Sequence, residues 1–277
     1  MTPVLVDIGA NLAHDSFDAD REAVLARARQ AGVAAMIVTG STLDDTEKAI
    51  GLCRGNPRSL RATAGVHPHH ATSLANADAD RLRELLSDPM VVAAGECGLD
   101  YYRNFSPPAE QRRAFELQVG LAAERAKPLF LHQREAHADF VAILRAQPKA
   151  LSRAVLHCFT GGTAELEDCL ALGLFVGVTG WICDERRGAA LRAAAPRVPR
   201  DRLMLETDAP YLLPRTIQPR PPHRRNEPAF LPEVLRETAR CRGEEPGELA
   251  RATTANACRF FGLTLRQGEQ AGTAELV

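Results

Sequence analysis

AEQRRAFELQVGLAAERAKPLFLHQR, residues 109–134, is the stretch that decides the fold. Phe115, Val119, Ala122 and Ala126 recur at i, i+4, i+7 and i+11, one face of a helix, with Pro107 and Pro108 before it and Pro128 behind it. PLFL then forms a short continuous apolar run, the pattern of a parallel strand covered on both faces. His132 stands directly after that run. Helix, stop, buried strand and a polar residue at the strand's end make one unit of an α/β protein.

Working outward, the same unit recurs in both directions. Apolar runs lie at 4–8 (VLVDI), 34–39, 60–65, 91–95, 153–156, 174–179 and 203–206, and helical patterns at 20–31, 42–54, 79–87, 135–147 and 163–172. Eight parallel strands alternating with helices is the count of a (β/α)8 TIM barrel. A doubly wound open sheet is the alternative, because periodicity does not show closure. Past the last strand, residues 207–232 are rich in Pro and Arg and too long for an ordinary connection, so a functional role is expected of them. Two helices follow, at about 232–242 and 246–260. One domain over 1–265 is expected, with a polar, frayed tail at 266–277.

Composition narrows the function. The chain has 277 residues, 34 Lys+Arg against 35 Asp+Glu, and 45% hydrophobic content, so disorder is excluded and the core is large enough to fold without staples. No apolar run approaches the ~18 residues of a membrane span. MTPVLVDIGANL lacks the basic start of a signal peptide. Seven scattered cysteines with no CxxC pair argue against a zinc ribbon or disulfide scaffold, and a cytoplasmic location is expected. A net charge of −1 argues against bulk affinity for nucleic acid but leaves room for a local basic groove.

The residues just past the strands carry the chemistry. His67 follows strand 3, Glu96 strand 4, His132 strand 5 and His157 strand 6, while Asp208 lies just beyond strand 8. In a barrel these ends share one mouth. Each residue alone has a plainer reading as a cap, a core imidazole or an ion-pair partner. Together they form a metal-ligand set. Imidazole suits Zn, Mn, Fe or Ni, and carboxylate also admits Mg. Glu96, His132 and His157 are the expected ligands, leaving positions open for water and substrate. Asp208 is expected as a further ligand or as the general base. His69 and His70 are expected in a loop, exposed or behind the ligands. Cys97 and Cys158 are expected to turn away from the mouth into the core.

Seven segments carry a resemblance: AGVHPH (64–69), GECGLDYYRNFS (95–106), His132-x-Arg134, LHCFTG (156–161), TGWICDERRG (179–188), ETDAPYLLPR (206–215) and RRNEP (224–228). In these the sequence closely resembles the TatD family of metal-dependent nucleases, within the amidohydrolase-like barrels. Most members of the wider superfamily carry His-x-His after strand 1, where this chain has Gly9 and Asn11. One well-formed metal site is therefore expected, with a second, looser one near Asp208 and Glu96.

The resemblance implies phosphodiester hydrolysis: a 3′→5′ exonuclease on single-stranded DNA, with RNA a further substrate, using Mg²⁺ or alternatively Mn²⁺ or Zn²⁺. His67 is the expected contact to the phosphate or leaving group, and Arg134 the clamp on a phosphoryl oxygen. Between 215 and 225 no acidic residue accompanies Arg215, Arg220, His223, Arg224 and Arg225, and Arg186 and Arg187 follow strand 7. That stretch, Arg224 and Arg225 above all, is the expected strand track. Tyr101, Tyr102, Phe105, Trp181 and Tyr211 are candidate platforms for stacked bases. A monomer is expected. A small-molecule amidohydrolase or phosphotriesterase-like enzyme and a non-catalytic nucleic-acid-binding barrel are the rival readings.

Overall fold

The computed structural model describes residues 3–267 and 274–277. Eight strands, β1 (Leu5–Ala10), β2 (Val33–Val38), β3 (Leu60–Ala64), β4 (Val91–Asp100), β5 (Leu129–Arg134), β6 (Ala154–Leu156), β7 (Phe175–Val178) and β8 (Leu203–Leu205), pair in parallel and in chain order. The two ends of the sheet meet just beyond β1 and β8. There the Asp208 N–H donates to the Gly9 carbonyl at 2.8 Å and the Asn11 N–H to the Ala209 carbonyl at 2.6 Å. These bonds join the edges into a barrel, which excludes the open sheet.

Outside lie helices α1 (Arg21–Gln30), α2 (Leu43–Gly55), α3 (Ala79–Leu86), α4 (Pro108–Glu124), α5 (His137–Ala146), α6 (Thr163–Ala171), α7 (Ala189–Ala194), α8 (Leu231–Arg242) and α9 (Pro246–Phe261). Thr42 caps α2 by accepting the Asp45 N–H, and Gly262 closes α9 in the left-handed conformation. The six-residue α7, rich in alanine, lies outside the sequence patterns above. Phe115, Val119 and Ala122 of α4 are buried in the layer between strands and helices, as their spacing predicts.

Alternation along the strands builds the barrel interior and aims the site. Val6 and Ile8, Ala35 and Ile37, Phe130, Val155, Phe175 and Met204 fill the inside. Two residues beyond Phe130, Val155 and Met204 come His132, His157 and Glu206, so the pleat points these three inward at the mouth.

The C-terminal tail departs from expectation. Leu265–Gln267 and Ala274–Leu276 form an antiparallel pair, β9 and β10. Leu276 is 2% exposed among Phe260, Phe261 and the barrel interior, and its N–H donates to the Arg58 carbonyl. Burial of that leucine replaces the expected fraying at 274–277, while 268–273 lie outside the described residues. Residues 207–227 carry no helix, and Asn226 ties them down by donating to the Thr207 carbonyl at 2.9 Å.

Candidate active site

The mouth opens into a cavity of about 860 Å³ lined by, among others, Asn11, His67, Glu96, Asp100, His132, His157 and Asp208. Glu96 is its centre. Its Oε1 lies 2.8 Å from His157 Nε2, 2.9 Å from His132 Nδ1 and 3.2 Å from His67 Nε2. Donor atoms of His67, Glu96 and His132 all lie within 4.8 Å of one another. Strands 3, 4, 5 and 6 thus deliver their polar end residues to one point.

The far nitrogens decide what each imidazole offers. His157 Nδ1 faces the fully buried Glu206 carboxylate at 3.2 Å, and His132 Nε2 faces Asp100 Oδ2 at 3.3 Å. Each carboxylate takes the N–H of its ring, leaving His157 Nε2 and His132 Nδ1 as the atoms that present a lone pair to the site. His67 is arranged the other way. Its Nδ1 accepts the His69 N–H at 3.1 Å, so the proton of the neutral ring sits on Nε2, facing Glu96. His67 is therefore a donor into the pocket, whereas His132 and His157 are suited to grip a cation with Glu96.

The charges agree with that division. Burial pushes the His67 imidazolium down to about 4, against the pull of Glu96, so the ring is neutral at neutral pH. Burial opposes the charged forms of His132 and His157 too, but the acids around them outweigh it: Asp100 and Glu96 raise His132, and Glu96 and Glu206 raise His157 well above the usual range. Glu96, despite burial, is held well below the ordinary carboxylate range, first by His157. Two imidazoles made more basic than usual, both facing one carboxylate, mark a place where a cation displaces protons. The donor set, one carboxylate and two oriented imidazoles, fits a divalent metal.

Asp208 lines the same cavity and accepts from Asn11 Nδ2 at 3.0 Å; its other oxygen takes no hydrogen bond among the described residues. Burial raises its carboxyl to about 7, with His157 opposing and Glu96 and Glu206 adding to the rise. Gly9, at the first position of the missing His-x-His, has no room for a side chain. A Cβ there would lie 2.5 Å from Glu206 Oε2, and one on Gly177 2.5 Å from Glu206 Oε1. The two glycines make the slot that Glu206 fills.

Sequence reasoning missed Glu206 and Asp100. Glu206 lies two residues before Asp208 on an inward-facing position, and the period-two alternation is the signal that reveals it. Asp100 accepts from His69 at 2.8 Å as well as from His132, placing His69 on the far side of Asp100 from that ring. Cys97 is buried in the core as expected. Cys158 instead lines the cavity: its positive φ of 46° breaks the alternation on which the inward packing rested.

The expected substrate contacts divide. Arg134, Trp181 and Tyr211 line the cavity, Arg134 stacked 3.9 Å above the Tyr102 ring and Arg187 4.3 Å above Trp181. Tyr102, Phe105 and Tyr211 are the exposed aromatics. Tyr101 instead turns its hydroxyl to Asp139. Arg224 is exposed on an adjoining cleft. Arg225 is not a free contact: its guanidinium bonds Asp20 at 2.7 and 2.8 Å and lies over Phe17, because Asp20 at the start of α1 offers both oxygens.

Comparison with known proteins gives the family. The family model described as TatD related DNase matches residues 6–262. The chain is 54% identical over 259 residues to a protein of Erwinia tasmaniensis named 3'-5' ssDNA/RNA exonuclease TatD, covering 94% of this chain and 100% of that one. It is 53% identical to the protein of that name from Cronobacter sakazakii, over 93% of this chain and 97% of the relative. Among solved structures, the TatD homologue YJJV of Escherichia coli K12 superposes with a TM-score of 0.87 at 28% identity, over 95% of this chain and 100% of its own. A TatD family hydrolase from Entamoeba histolytica superposes at 0.86 and 26%, over 94% and 99%. On the strength of that match across nearly its whole length, the chain belongs to the TatD family of DNases.

Proposed function

We propose that this chain is a metal-dependent nuclease that removes nucleotides from the 3′ ends of single-stranded DNA, and of RNA as well. The observation that carries the reading is the meeting of Glu96 Oε1 with His157 Nε2 and His132 Nδ1, each ring oriented by its own buried acid. The names of the relatives support substrate and polarity. Glu96, His132 and His157 would hold the ion, for which we name Mg²⁺, with Mn²⁺ and Zn²⁺ admitted by the same donors. A second, looser site beside Asp208 and Glu96 belongs to the same proposal.

When bound, a divalent cation supplies Lewis acidity, neutralising charge on the phosphoryl oxygens and acidifying a water. The chain's own residues do the rest. Asp208, with an oxygen free of internal hydrogen bonds, takes up the proton of the attacking water. His67 Nε2–H donates to a phosphoryl oxygen as negative charge builds there. Arg134 adds a fixed positive charge on the cavity wall, its plane steadied by Tyr102. Exposed rings at Tyr102, Phe105 and Tyr211 accept bases by stacking, which tolerates any sequence. A working monomer belongs to the same proposal. All seven cysteines are free, which supports a reducing compartment such as the cytoplasm. No helix among the described residues is long and apolar enough to cross a membrane.

The test is digestion of a 5′-labelled single strand. With Mg²⁺ the expected product is a ladder shortening from the 3′ end, abolished by chelation and restored by adding metal. Turnover of small amides or esters with the strand left intact would overturn the reading.

A further inference from the structure

A second cleft, of about 630 Å³, lies between the segments that follow β7 and β8, and it carries an excess of positive charge. Arg187, Arg215, Arg220, His223 and Arg224 line it. Trp181, Arg187 and Leu212 line both this cleft and the catalytic cavity, so the two spaces adjoin. Among the described residues, the only acid on its wall is Asp184, which is already bound to Arg187 at 2.9 Å and lies 3.6 Å from Arg186. Arg215 is paired with Glu185. Arg220 and Arg224, by contrast, make no ion pair or side-chain hydrogen bond with any described residue, and Arg224 is exposed. Cations left without acids beside a phosphodiesterase-type pocket suit an anionic occupant.

The opposite wall is built differently. Tyr102 lies under Arg134, and Phe105 is 68% exposed and packs T-shaped on His69. Tyr102 and Phe105 belong to the segment after β4, and Arg134 ends β5; both stand across the mouth from the segment after β8 in a barrel whose strands run in chain order. One side of the mouth therefore ends in stacking surfaces, and the other continues into a basic cleft.

The geometry points to the course of the strand. Resting on the single-strand nuclease reading above, the cleft after β7 and β8 is the track for the uncleaved part of the substrate. The chain of nucleotides passes over Trp181, and Arg220 and Arg224 hold phosphates upstream of the bond to be cut. The terminal nucleotide lies across the mouth against Tyr102 and Phe105. The cleft thus recognises length, and a dinucleotide, which has no upstream phosphates, gains nothing from it.

The experiment compares wild type with the double variant Arg220→Glu/Arg224→Glu, with saturating Mg²⁺, on a dinucleotide and on a ten-nucleotide strand. In wild type kcat/KM favours the longer substrate. In the variant the ratio of the two kcat/KM values is expected to fall by about tenfold. The slope of log affinity against log salt for the ten-mer should also become shallower by roughly 1.4, at ~0.7 per lost phosphate contact. A ratio and a salt slope equal to those of wild type would overturn the track. Displacement of a labelled ten-mer by polyglutamate as readily as by unlabelled strand would overturn it too, showing a groove for any polyanion. Should the charge reversal unfold the protein, Arg220→Gln/Arg224→Gln is read in the same way. Failure of wild type to cleave either strand sinks the nuclease reading itself, a result distinct from an unchanged ratio.

Discussion

Glu206 shows how much of the site depends on residues behind the proposed ligands. Its carboxylate accepts the Cys158 N–H and faces His157 Nδ1, and among the described residues it is the only hydrogen-bond partner of that nitrogen, so it sets which ring nitrogen is left for a cation. In Glu206→Gln the amide nitrogen meets a ring N–H, the tautomer flips and Nε2 carries a proton in the wrong place. The affinity for Mn²⁺, measured by calorimetry, should fall by about 10–100-fold. Gly9 makes the complementary argument. Restoring the superfamily's first histidine with Gly9→His does not rebuild a second metal site, because Glu206 occupies the space. The expected outcome is a loss of roughly 1–3 kcal/mol in denaturant unfolding with no added equivalent of bound metal. Glu96, His132 and His157 were legible as polar residues closing apolar runs. Glu206 was not, since within MLETDAP it reads as one acid among two, and only the inward pleat of β8 distinguishes it.

At the scale of elements, the βα period was legible because each strand is buried on both faces and each crossover helix keeps one apolar stripe. The short α7 was not, because six residues carry less than two turns of pattern. The C-terminal strands escaped for a similar reason. Leu265 and Leu276 lie in strands of three residues, too short for a pattern to register, and only the pairing of β9 with β10 carries Leu276 to the barrel's closed end. Leu276→Ala should therefore destabilise the protein by about 2–3 kcal/mol, towards the lower part of the range for buried leucines, because the strand sits at an edge that can relax. Thermal unfolding followed by circular dichroism checks this, and a variant that melts with wild type would return the segment to a frayed tail. Arg225 marks the same limit in the basic stretch: a run of arginines in sequence does not show which of them an acid has already claimed.

Across the whole molecule, the barrel brings acids and arginines from distant segments into ion pairs that are also pH sensors. Asp20 bonds both Arg225 and Arg27, chiefly Arg225, and its carboxyl is held down to about 2. The folded chain therefore releases this proton at lower pH than the unfolded chain, whose value is ~3.9. Its stabilisation is complete above about pH 4 and is lost as pH falls towards 2. With the side chain about a third exposed, solvent screening limits the contribution to about 1 kcal/mol. Asp20→Asn should lower stability at pH 7 by that amount and flatten the slope of stability against pH between 4 and 2, as read from urea titrations. The central claim, however, concerns the mouth: Glu96, His132 and His157 together hold one cation. The most direct measurement is calorimetric titration of the metal-free protein with Mn²⁺, run beside Glu96→Gln and His157→Ala variants shown to be folded. The account predicts one tight equivalent in wild type and its loss in both variants; unchanged tight binding in either would contradict it.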